Sequence, residues 1–111
     1  MAQPIAKLMV VKRNGEIVDF DSSRIRNAIA KAFKATSNPV SEQLIDEIVN
    51  GVVGEIEERF TDFYPNVENV QDIVEKHLVK KELYEIAKAY ILYRAERQKS
   101  REEEKKKNIE K

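Results

Sequence analysis

The chain has 111 residues, enough for one domain with a modest core, and 36% of them are charged. Cysteine is absent, which excludes a disulfide framework, thiolate chemistry and a cysteine-based metal site. Twenty Lys/Arg balance twenty Asp/Glu, and no apolar run approaches the roughly 18 residues of a membrane span, so a soluble, cytoplasmic protein is expected.

Residues 1–7 read as a loose lead-in, because Pro4 discourages regular structure. Val10 and Val11 suit a short strand, and Ile17-Val18-Asp19-Phe20 a return strand. Asn14-Gly15 between them predicts a two-residue type I′ turn, in which both central residues take positive φ. Asp21, Ser22 and Ser23 can cap a first helix, which carries Ile25, Ala28, Ile29, Ala32 and Phe33 on one face and ends near Ala35. Arg24 and Arg26 in its first turn oppose the helix dipole. With Lys12 and Arg13 at the hairpin tip, they suit a small anion bound between hairpin and helix. The competing reading is a surface hairpin with solvated cations.

Thr36 to Pro39 reads as a loop, and Ser41 as the cap of a second helix. That helix shows an apolar stripe from Leu44 and Ile45 through Ile48, Val49, Val52, Val53 and Ile56 to Phe60. Gly51 and Gly54 interrupt it, either to admit a neighbour or merely to weaken the helix. Glu55, Glu57 and Glu58 read as a solvated face. Asn66 can cap a third helix whose buried side is Val70, Ile73, Val74, His77 and Leu78. A core role for His77 outweighs a catalytic one, since neither a serine nor a carboxylate is identifiable as its partner. Lys80-Lys81-Glu82 suits a short turn before a fourth helix starting near Leu83, where Tyr84, Tyr90 and Tyr93 read as packing residues. Residues 98–111 are nearly all charged, a helical extension or tail in which Glu102, Glu103 and Glu104 can pair with the lysines that follow. The expected fold is α+β, a small N-terminal β-hairpin packed on a four-helix bundle over residues 8–97.

Charge is unevenly distributed. From Arg94 onward there are eight bases and five acids, leaving twelve bases and fifteen acids over residues 1–93. A mildly acidic body argues against a nucleic-acid binder, which needs a basic face to displace counterions. No nucleophile elbow, P-loop or dinucleotide fingerprint occurs, so an active site of its own is not expected.

The stretch VVKRNGEIVDFDSSRIRNAIAKAF resembles the opening of an ATP-cone domain, and VENVQDIVEKHLVKKELYEIAKAYILYRAERQK resembles its closing helices. The two blocks together span roughly residues 8–99. The resemblance implies an allosteric module of a ribonucleotide reductase, activated by ATP and shut down by dATP, with Mg2+ travelling on the triphosphate. It implies phosphate contacts from Lys12, Arg13 and Arg24, and positions near the nucleotide for Val67 and Gln71. Tyr90 and Arg94 fall where the last helix closes the site. The implied partners are adenine nucleotides, the reductase catalytic domain or subunits, and further copies in a homo-oligomer. Two alternatives stand beside this reading. One is a degenerate cone serving as a helical protein-interaction module without nucleotide binding. The other is a nucleic-acid binder acting through the charged tail, with steeply salt-dependent affinity.

Overall fold

The computed structural model describes residues 8–109, with side chains over residues 8–99. The expected lead-in, residues 1–7, and the expected pairing of Glu102, Glu103 and Glu104 lie outside this description. Two strands, β1 (Met9–Val11) and β2 (Ile17–Asp19), precede four helices, α1 (Ser22–Ala35), α2 (Glu42–Arg59), α3 (Val67–Lys80) and α4 (Tyr84–Ile109). The architecture is therefore α+β, a β-hairpin on four helices.

The hairpin is antiparallel, with Met9 opposite Asp19, Val10 opposite Val18 and Val11 opposite Ile17. Its turn differs from the type I′ expectation. Lys12 N–H donates to Glu16 O at 2.8 Å and Gly15 N–H donates to Lys12 O at 2.9 Å, leaving three residues in the loop. Only Gly15 takes positive φ there, at 88°, while the Asn14 side chain accepts from Glu16 N–H at 2.9 Å. An Asx-type bond holds Asn14 in the ordinary region and hands the left-handed position to Gly15 alone, as in three-residue hairpins.

The side-chain caps follow the sequence. The Asp21 carboxylate accepts from Ser23 N–H at 3.0 Å, and Ser41 Oγ accepts from Leu44 N–H at 3.2 Å. Asn66 and Asn69 form a reciprocal capping box at the start of α3. The C-terminal ends hold what the sequence did not announce. Ser37 and Glu82 take left-handed φ of 59° and 62°. Ser37 N–H donates to Lys34 O and Asn38 N–H to Phe33 O; Glu82 N–H donates to Val79 O and Leu83 N–H to Leu78 O. Both are Schellman caps without the usual glycine.

α1 packs on α2 and α4, α2 on α3, and α3 on α4. Ile29, Ile45, Ile48, Val52, Ile56, Val74 and Leu78 are fully buried at the centre. Leu8, Val10 and Phe20 seat the hairpin on this core. Tyr90 packs inside, whereas Tyr84, expected to pack, is 61% exposed because it begins α4 on the solvent side.

Candidate functional site

A backbone bond fixes where the hairpin tip lies. Val11 N–H donates to Pro65 O at 2.9 Å, in a parallel bridge between β1 and the segment entering α3. Pro65 is fully buried, so this junction is rigidly seated. The bridge sets the tip cations beside the first turn of α3. Arg13 Nη2 reaches Glu68 Oε2 at 2.9 Å, and Lys12 Nζ lies 3.5 Å from Glu16 Oε1. Val67 opens α3 one residue before Glu68, and Gln71 follows within a turn; both are half-buried. Four of the sequence-derived site residues thus share one region: Lys12, Arg13, Val67 and Gln71.

Arg24 lies in the first turn of α1, which follows β2 through Phe20 and Asp21. Its charged neighbour is Asp21, whose carboxyl is held below its ordinary range by hydrogen bonds from Ser23. The first turn of α1 carries no acidic residue, so its positive end is not countered from within the helix.

On α4, Tyr90 is buried and Arg94 is 21% exposed. Arg94 donates to Asp72 at 3.1 Å and also to Glu75, bracing α4 against α3 beside Gln71. Burial opposes its charge, yet its bonds to Glu75 and Asp72 outweigh burial and raise its pKa further. For the Tyr90 phenol, burial disfavours the charged form by raising the pKa, so it stays neutral. Both residues tie helices together in this arrangement.

Sequence reasoning missed a polar cluster between α2 and α3. Glu55, read as part of a solvated face, has a side chain only 12% exposed. It accepts from Lys76 at 2.8 Å and from Arg59 at 2.9 Å, and its other oxygen bonds His77 Nε2 at 2.8 Å. His77 therefore has the carboxylate partner that the sequence left unidentified. The Lys76 bond is the main cause lowering the Glu55 carboxyl to about 2; burial opposes it, and Arg59 and His77 add to it. Gly51 makes room for the ring: a Cβ there would fall 2.9 Å from His77 Nδ1. A residue on a helix predicted as a separate stripe gave no signal of this contact 26 positions away. Glu57 and Glu58 are exposed, as expected.

Elsewhere, Lys31, Ala32, Leu92 and Tyr93 line an open groove of about 640 Å³ between α1 and α4, away from the tip cations. Among the described residues no group of three or more His, Cys, Asp or Glu could hold a metal ion, and no helix is long and apolar enough to cross a membrane.

The family model of the ATP cone domain matches residues 8–99, nearly all of the described chain. The chain belongs to the ATP-cone family. Over 102 residues the cone is 38% identical to the ribonucleoside-diphosphate reductase subunit alpha of Chlamydia muridarum, covering 84% of this chain and 10% of that one. It is 39% identical over 102 residues to the vitamin B12-dependent ribonucleoside-diphosphate reductase of Thermoplasma acidophilum, covering 85% of this chain and 12% of the relative. It is 33% identical over 100 residues to the anaerobic ribonucleoside-triphosphate reductase of Haemophilus influenzae, covering 84% and 13%. The cone thus spans about a tenth of the length of these relatives.

Proposed function

We propose that this ATP-cone is a regulatory module that binds ATP or dATP with Mg2+ and thereby controls a ribonucleotide reductase. The observation that carries the reading is the Val11–Pro65 bond, because it sets Lys12 and Arg13 against the positive end of α3. Arginine and lysine side chains there suit phosphate through charge-assisted hydrogen bonds. The relatives, all reductases, support the regulatory context. Arg24, in the first turn of α1, would also face phosphate, with Val67 and Gln71 beside the nucleoside. Tyr90 and Arg94 would act by holding α4 against α3, so that occupancy is felt along α4. Mg2+ would be held by phosphate oxygens and water. The adjoining partner would be the catalytic part of the reductase, within one chain or across copies.

Titration calorimetry with ATP, dATP and GTP, each with Mg2+, tests the reading. Saturable heat with the adenine nucleotides and little with GTP is expected. Lys12→Ala and Arg13→Ala should each weaken ATP binding about tenfold, on the order of 1.4 kcal/mol, while melting as the parent does. No heat and no thermal stabilisation with any nucleotide would overturn the assignment. That outcome would favour a second reading, a cone that binds protein alone, for which the observation is Tyr84, Ile91 and Leu92 exposed along α4.

A further inference from the structure

The two tip cations are neutralised in different ways. Lys12 faces Glu16 in its own loop, so that pair moves as a unit. Arg13 is held by Glu68 of α3, 55 residues away in sequence. Glu68 occupies the second position of α3, where its carboxylate also complements the helix's positive end. A phosphate gripped jointly by Arg13 and that helix end would need the place this carboxylate takes. Phosphate and carboxylate side by side would repel at contact distance, on a surface too open to bury either.

Resting on the nucleotide-binding reading above, we propose that Glu68 is a built-in competitor for the triphosphate. Its carboxylate holds Arg13 when no ligand is bound, and binding exchanges it for a phosphate. Glu68 is thus an affinity-setting residue: it keeps the site from filling at low nucleotide concentration and holds the tip in register with α3 meanwhile. No bond other than hydrogen bonds changes in the exchange.

The test is calorimetric titration of the 111-residue chain with Mg2+-ATP in four forms: parent, Glu68→Gln, Arg13→Ala and the double variant. Glu68→Ala serves as a second replacement, and melting curves check that each form is folded. Glu68→Gln is expected to bind about three- to tenfold more tightly than the parent, with the gain absent in the Arg13→Ala background. If the parent binds and neither Glu68 replacement tightens it, the competitor role fails while the nucleotide site stands. An equal gain without Arg13 would overturn the exchange, leaving only a general charge effect. If neither the parent nor the Glu68 variants bind, the nucleotide reading itself fails and the competitor role falls with it.

Discussion

At the scale of single residues, the polar cluster between α2 and α3 makes two sharp expectations. Gly51 and Gly54 lie one turn apart in α2, and each costs helix stability relative to alanine. Gly54→Ala adds a methyl into open space and should stabilise by about 0.5–1 kcal/mol. Gly51→Ala drives its methyl into the His77 ring and dislodges the bond to Glu55, so about 1–2 kcal/mol of destabilisation is expected. Urea unfolding of both variants checks the opposite signs. Glu55 gives the pH dependence. Its folded pKa is lowered from 4.5 to about 2, so its contribution is present above pH 4.5 and is lost as pH falls toward 2. Glu55→Gln should therefore be less stable than the parent at pH 7, with the two unfolding free energies converging as pH approaches 2.

At the scale of elements, the helix ends repeat one device. α1 and α3 both stop in Schellman caps, and in both a residue with a Cβ sits in the left-handed position. Such a residue is strained there by about 1 kcal/mol, which glycine escapes. Glu82→Gly should raise stability by about 0.5–1 kcal/mol, read as a higher melting temperature. Leu83 follows the cap and packs against the core, so the turn also aims the start of α4. The hairpin needs comparable support. Two three-residue strands are marginal alone, and here Leu8, Val10, Phe20 and the bridge to Pro65 hold them in place.

At the scale of the whole molecule, Tyr90 is the last core residue of α4 among the described side chains, and residues 95–99 are exposed. Removing residues 100–111 should leave the melting temperature within about 2 °C of the parent, a change well under 1 kcal/mol for a domain of this size. Circular dichroism of the shortened chain would reveal any larger loss. α4 is held to the rest by Tyr90, by Arg94 on Asp72 and Glu75, and by Tyr93 beneath the Lys31 ammonium. The Arg94 pairs join α4 to α3, the helix whose first turn holds Arg13 through Glu68.

The helices, their side-chain caps and the core faces were legible in the amino-acid sequence, because capping and 3.6-residue periodicity act over a few neighbouring positions. Asp21, Ser41 and Asn66 cap where local chemistry says they should. The cations at Lys12, Arg13 and Arg24 were equally visible as residues. Their arrangement was not. Only packing across the chain could bring Val11 to Pro65 and Arg13 to Glu68. The glycine-free caps at Ser37 and Glu82 were hidden because their strain is offset by bonds to the preceding turn. Glu55 read as solvent-facing because local pattern carries no record of His77 on another helix. Neighbour-to-neighbour forces decided the elements; burial and charge pairing between distant segments decided how the candidate site residues are arranged.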